Sequence, residues 1–223
     1  MTALIGDLLP YAVGVAISPI PIIATILMLL APKAGGTSVG FLIGWVLGIT
    51  VATVVFLVIA ETSGLEAGSD PSTTSSWIKL ILGVLLLLLA VRQWRSRPKG
   101  DEPATLPKWM SAIDSFTLVR ALLLGFALAA INPKNLLMCI AAGAALGGST
   151  LPSGDVVVAT VVFIVLASCT VAVPVIGYAV AKERMRDPLD ELKVWLQANN
   201  VAVMSVLLLV IGVVLVGKGL AGL

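Results

Sequence analysis

Six long runs of apolar residues, almost free of charge, constrain this chain more than any other feature. They cover residues 4–31, 39–60, 77–90, 117–146, 156–181 and 201–216. A hydrocarbon core about 30 Å thick is crossed by about 20 helical residues, and four of the runs reach that length. The third and sixth are shorter, but Trp77, Trp94 and Trp195 flank them, and tryptophan suits the membrane–water interface. In lipid an open strand cannot satisfy its own backbone, so the runs are predicted as helices. Composition excludes a water-soluble domain. Only 12% of the residues are charged, half the roughly 25% of an ordinary soluble domain, and the mean hydropathy is +1.09. The expected fold class is an all-α, multi-pass membrane protein with six transmembrane helices.

The two halves of the chain look alike. The first contains Gly14-Val-Ala-Ile-Ser18-Pro19-Ile20-Pro21 and an apolar stretch ending near Gly35-Gly36. The second contains Gly125-Phe-Ala-Leu-Ala-Ala-Ile-Asn132-Pro133-Lys134-Asn135 and a stretch ending near Gly147-Gly148. Each half then holds one more long run and one short one. Three spans per half is an odd number, so the second half inserts upside down, the inverted-repeat plan of many transporters. The expected organisation is a three-helix repeat at 1–97, a cytoplasmic linker at 98–116 carrying Pro98, Pro103 and Pro107, and a second repeat at 117–223.

Charge fixes the expected orientation. All 14 Lys and Arg residues except Lys79, Lys134 and Lys218 fall on the face holding the loops after the first, third and fifth runs. By the positive-inside rule that face is cytoplasmic, which places the protein in the cytoplasmic (inner) membrane with both termini outside. Re-entrant hairpins at the proline-bearing runs would put the 92–97 and 182–186 basic clusters on opposite faces, so full crossings are expected. No Lys or Arg precedes Lys33, so the first run lacks the basic flank of a cleaved signal peptide and is expected to remain as a span. The outer loop 61–76 reads as a solvated flexible link. In the inner loop Asp187 can cap a helix begun by Pro188, with Leu189, Leu192 and Trp195/Leu196 on one face. That helix is either a surface gate or, the favoured reading, a connector anchoring the sixth span.

The prolines mark the candidate site. Proline removes a backbone N–H and clashes with the preceding turn, so each motif breaks its helix and frees carbonyls. The half-helix that restarts offers its N-terminal amides to anions. Lys134 adds a full charge there, at a depth where a lysine costs about 2.5–3.5 kcal/mol even on the lenient insertion scale. No Asp or Glu lies centrally in any run to pair with it; Asp7 and Glu61 sit near the ends. If the halves are symmetric, the two breaks meet near the midplane around one polar cavity. The candidate substrate-binding residues are Ser18, Pro19, Pro21, Asn132, Pro133, Lys134 and Asn135. A simple pair of kinks filled by neighbouring helices is the plainer alternative.

Gly40, Gly44 and Gly48 share one helix face and are candidates for close packing, between spans or between protomers. Trp45 beside them reads as a packing or gating residue. Thr160, Ser168, Thr170, Pro174 and Tyr178 in the fifth run receive no assigned role. Cys139 and Cys169 lie in apolar runs, and no disulfide is expected. With no histidine, no Ser–His pair, no metal-ligand set and no phosphate-loop motif, neither an enzyme nor a cofactor or metal site is expected.

At these motifs the chain resembles the LysE superfamily of membrane exporters, and most closely the GAP (Sap) family of actinobacterial lipid-addressing proteins. The resemblance is carried by Ser18-Pro19-Ile20-Pro21, by Pro32-Lys33 followed by Gly40-Phe-Leu-Ile-Gly44-Trp45-Val-Leu-Gly48, and by Ala130-Ile-Asn132-Pro133-Lys134-Asn135-Leu-Leu. It covers the whole chain, including the six-span layout. The amino-acid exporters of the superfamily tend to carry Pro-Gly-Pro in span one, where this chain has Ile20 in place of the glycine. The resemblance implies export or trans-bilayer movement of cell-envelope glycolipids. The expected function is a transporter or flippase for an amphiphile with an anionic or polar head, working by alternating access. Two readings stand beside it: an exporter of a small metabolite or ion, and a non-transporting scaffold in a lipid-export complex. The expected partners are membrane lipids and a lipid or small amphiphilic substrate, with room for a homodimer or a larger lipid-export complex and none for nucleic acid.

Overall fold

The computed structural model describes residues 1–32, 34–62, 73–96 and 108–223. Lys33, Arg97, Lys99, the linker prolines and most of the 61–76 loop lie outside them. Among the described residues every regular element is helical: α1 (Thr2–Ala16), α2 (Pro19–Leu30), α3 (Ala34–Thr62), α4 (Thr73–Arg95), a 3₁₀ helix (Lys108–Ser115), α5 (Leu118–Ala130), α6 (Pro133–Gly147) and α7 (Ser153–Leu220). By length and composition α3, α4 and α7 can each cross a membrane. The count rises to five if the bent pairs α1–α2 (54°) and α5–α6 (63°) are each one span. The six apolar runs fall on α1–α2, α3, α4, α5–α6 and two limbs of α7.

The limbs arise because α7 is too long to be straight. Its 68 residues, at about 1.5 Å each, would extend about 100 Å. The chain instead turns at Ala181 (φ −138°, ψ 51°). The turn is tight enough that a Cβ on Gly177 would lie 3.3 Å from Met185 Cε. The second limb then returns antiparallel to α4: Gly212 meets Leu87, Val216 meets Gly83, and Gly219 meets Leu80.

Two parallel ladders fix the path of the broken helices. Along α3, Gly40 meets Leu118, Gly44 meets Leu122, Gly48 meets Phe126, Thr53 meets Gly143 and Glu61 meets Gly147. Thus α5 and α6 together run the length of α3 in one direction, and a 63° bend deflects that path without reversing it. Likewise α1–α2 runs with the first limb of α7. Thr170 bonds Ala16 beside the first break, and farther along Ile22, Ile26 and Leu29 pack with Val175 and Tyr178. The two halves therefore interlock.

Glycine makes the first ladder close. A Cβ on Gly44 would sit 2.0 Å from the Leu122 carbonyl oxygen, and one on Gly125 would sit 2.3 Å from that of Phe41. The Gly40/Gly44/Gly48 face is thus occupied inside the protomer by α5. The opposite face of α3, with Ile43, Leu47, Val51 and Val55, is exposed, as a lipid-facing surface should be. Trp45 is fully buried and stacks on Phe41 at 6.4 Å. Both cysteines are free.

Two local expectations are corrected. No helix starts at Asp187–Pro188, because the chain turns at Ala181 and both residues lie inside the following helix. Pro188 is exposed there, so solvent can replace the bond it removes. On that helix Leu189 and Leu196 are buried against α2, whereas Leu192 and Trp195 face outward. The stretch 98–116 follows α4, whose last turn holds Arg92 and Arg95, where cations complement the free carbonyls. At its other end Met110 and Ile113 of the 3₁₀ helix are buried.

Candidate functional site

Each break follows from its prolines. Pro19 cannot donate to the Val15 carbonyl, nor Pro21 to that of Ile17. Residues before proline are pushed to extended backbone, and Ser18 (φ −113°, ψ 100°) and Asn132 (φ −62°, ψ 120°) both adopt it. The Ser18 amide turns to Ala16 O at 2.8 Å, which leaves Gly14 O without its intrahelical donor. The end of α1 is a cluster of surplus carbonyls inside the protein. In α6, Pro133 takes the first helical position, and the Asn132 side chain caps the helix by accepting from the Lys134 amide at 3.1 Å.

Lys134 reaches across to the surplus carbonyls. Its ammonium donates to Gly14 O at 2.6 Å, to Ser18 Oγ at 2.8 Å and, more weakly, to Ile17 O at 3.4 Å. The Ser18 hydroxyl donates onward to Asn135 Oδ1 at 3.4 Å. The Asn135 amide donates to Leu128 O at 2.9 Å, on the α5 side of the second break. Thr170 completes the cluster by donating to Ala16 O at 2.7 Å. One continuous network therefore joins the two breaks, through residues more than 100 positions apart. Ser18, Lys134 and Asn135 are 2%, 3% and 0% exposed, so the network is sealed from both faces.

The lysine finds its counter-charge in a helix end, not in an acid. The C-terminus of a helix carries the equivalent of about half a negative charge, and here that end belongs to α1, in the opposite half of the chain. By contrast, the N-terminus of α6 repels the charge of its own Lys134.

Of the candidate residues, Ser18, Lys134 and Asn135 come into direct contact. Asn132 serves its own helix start, and Pro19 and Pro21 are buried and act through the bonds they remove. Pro133 faces outward beside Leu136 and Leu137. Sequence reasoning placed these side chains around an open cavity; the structure has them filling that space with one another. It gave no role to Thr170, whose only signal was a hydroxyl in the middle of the fifth run.

Cavities lie at the two ends. At the basic face, one of about 770 Å³ opens between the end of α2, the starts of α3 and α5, and the first limb of α7. At the other face, one of about 310 Å³ lies between the starts of α1 and α4, the end of α6 and the end of α7. An Asp7–Lys218 ion pair of 2.6 Å sits at its edge. Among the described residues no cluster of His, Cys, Asp or Glu could hold a metal ion.

Apolar helices, two broken pairs and a buried cation clasped at the breaks define a multi-pass helical membrane protein. The match that places it more closely is to the family model described as Sap, sulfolipid-1-addressing protein, over residues 8–221. The chain belongs to that family, one tied to lipid export. No curated protein matches the chain, and no solved structure does.

Proposed function

We propose that the chain is a six-span transporter or flippase of the cytoplasmic membrane, built as two inverted repeats of the LysE type with both termini outside. It moves an amphiphile with an anionic or polar head, of the glycolipid kind named in the family's description, without catalysis or a cofactor. The observation that carries this reading is the Lys134–Ser18–Asn135 network bridging both breaks. The parallel ladders add support: α3 on α5–α6, and the first limb of α7 on α1–α2, are what an inverted repeat exchanges. The two end cavities are bordered by corresponding elements, each taking the end of one broken helix and the start of the other.

In this mechanism the sealed state is one end of an alternating-access cycle. Parting the halves withdraws Lys134 from the α1 carbonyls, and an anionic head replaces them as its partner while the tails stay in lipid. The test is trans-bilayer movement of a fluorescent sulfated glycolipid in proteoliposomes. Wild type is expected to move it, and Lys134→Met, reconstituted at equal density, to move it at least tenfold more slowly. Full movement by a correctly inserted Lys134→Met variant would sink the proposal. The accessory-scaffold reading looks to the Gly40/Gly44/Gly48 face and the inner loop for contacts, and of these the glycine face is occupied by α5.

A further inference from the structure

The cavity at the basic face differs from its counterpart in more than size. Leu30, Phe116, Leu118 and Tyr178 give it apolar walls, while Lys182 and Arg186 stand on one rim. These two cations lie four residues apart just after the turn at Ala181, so they share a helix face and repel one another. Among the described residues neither is ion-paired: the pairs formed are Lys193–Asp190 and Lys218–Asp7. Glu183 and Asp187, next to them in sequence, do not line the cavity. Lys182 instead lies 5.9 Å from the centre of the Tyr178 ring, on the cavity wall. Across the cavity Gly35 and Gly36 are exposed, and among the described residues nothing lies within 4 Å of where a Cβ would be. The smaller cavity at the opposite face already has Lys218 matched to Asp7.

A space with apolar walls and two unmatched cations on its rim fits a ligand that is itself divided, an anionic group attached to a hydrocarbon body. Lys134 does not serve as first contact in this state, since its donors are engaged and it is sealed from the surface. We infer that the basic-face cavity is the capture site for the head of an anionic amphiphile (a sulfate, phosphate or carboxylate) drawn from the adjoining leaflet, with Lys182 and Arg186 as the binding cations. This rests on the reading of the chain as a lipid mover and gives that movement its loading point. The cavity floor carries the consequence inward: Tyr178 packs with Ile22 and Ile26 of α2, the half-helix that begins at the first break.

The test is native mass spectrometry of the full chain in a neutral detergent, titrated with sulfatide, with its unsulfated parent galactosylceramide, or with sodium sulfate. Wild type is expected to hold sulfatide at least tenfold more tightly than galactosylceramide. Lys182→Gln and Arg186→Gln are each expected to weaken sulfatide about tenfold, the loss of one charge-assisted hydrogen bond. Arg184→Gln removes the same charge from the same helix at a position off the cavity, and is expected to change binding less than twofold. Equal loss in all three variants would overturn the site in favour of general surface attraction, as would no loss in any. Displacement of sulfatide by sulfate at equal concentration would overturn the lipid as the source of the anion. Movement assays in proteoliposomes separate the two proposals. If wild type moves sulfatide and Lys182→Gln/Arg186→Gln moves it with the same concentration dependence, the capture site fails alone. If wild type binds sulfatide through Lys182 and Arg186 but moves none, the transport reading fails and the site stands.

Discussion

Replacing Lys134 by methionine keeps an unbranched side chain one atom shorter and removes the charge, and the structure allows its two consequences to be separated. Before the helices pack, a lone α5–α6 segment carries the ammonium in lipid at a cost of about 2.5–3.5 kcal/mol. Packing relieves that cost by giving the ammonium Gly14 O and Ser18 Oγ at 2.6 and 2.8 Å, with Ile17 O at 3.4 Å too long to add much. Polar contacts inside membrane proteins are worth about 0.6 kcal/mol on average and up to about 1.7. Two good ones therefore give about 1–3 kcal/mol of packing stability. Lys134→Met should then insert at least as well as wild type yet unfold at lower temperature. At about 2–4 °C per kcal/mol for a chain of this size, the fall is about 2–12 °C. Membrane-fraction yield measures the first effect, and thermal unfolding in detergent measures the second. A double-mutant cycle with Ser18→Ala sharpens the assay, since residues of one network couple by about 0.5–3 kcal/mol. An unchanged or raised melting temperature, or strict additivity with Ser18→Ala, would refute the clasp.

Other parts of the fold can be tested in the same preparations. Gly44→Ala places a Cβ 2.0 Å from Leu122 O and should destabilise by about 1–3 kcal/mol as α3 is pushed off α5, whereas Gly36→Ala, with open space around it, should shift the melting temperature by less than about 2 °C. Thr170→Val strips the Ala16 carbonyl of its 2.7 Å donor and should lower stability by about 1 kcal/mol, read by thermal unfolding. Joining Asp7→Cys to Lys218→Cys with a short reducible thiol cross-linker, in a background without Cys139 and Cys169, should hold the cavity beside that ion pair shut and stop glycolipid movement until reductant is added. Undiminished movement in the cross-linked protein would count against alternating access.

Much of this architecture was written locally. The breaks at Ser18-Pro19-Ile20-Pro21 and Asn132-Pro133 follow from missing amides, and the close approach of α3 follows from glycine at every fourth position. What could not be read is what each local feature meets. The partner of Lys134 was sought among acids, because side-chain chemistry can be scanned along a sequence. Its actual partners are the Ser18 hydroxyl and the main-chain oxygens of Gly14 and, more weakly, Ile17, the carbonyls being freed by prolines in the other half of the chain. The turn at Ala181 has no glycine or proline at the hinge itself; Gly177 lies four residues upstream, and Pro188, seven residues downstream, sits inside a helix. Leu192 and Trp195 share the period of Leu189 and Leu196, but only the surface of α2 decides which pair is covered.

The position of Lys134 within its own helix bears on how the halves could part. It is the second residue of α6, within the first turn at an N-terminus that carries about half a positive charge, so its own helix disfavours it. The compensating negative end belongs to α1, on the opposite half. Separating the halves without a ligand would leave an ammonium beside a positive helix end, and would leave the carbonyls of Gly14 and Ile17 without a donor. Both losses fall in a medium where water is scarce and polar groups must find partners within the protein. An anionic head entering between the breaks removes the first loss, because it can accept from Lys134 and from the amides at the start of α6 together. On this reasoning the empty protein stays shut at its centre, and the substrate lowers the free energy of opening by its differential affinity for the open state. A neutral amphiphile of the same size should then bind without opening the centre. Ser18→Cys, otherwise sealed, should become reactive to a membrane-permeant thiol reagent with sulfatide and remain protected with galactosylceramide. Equal reactivity with both lipids would show that charge plays no part in parting the halves.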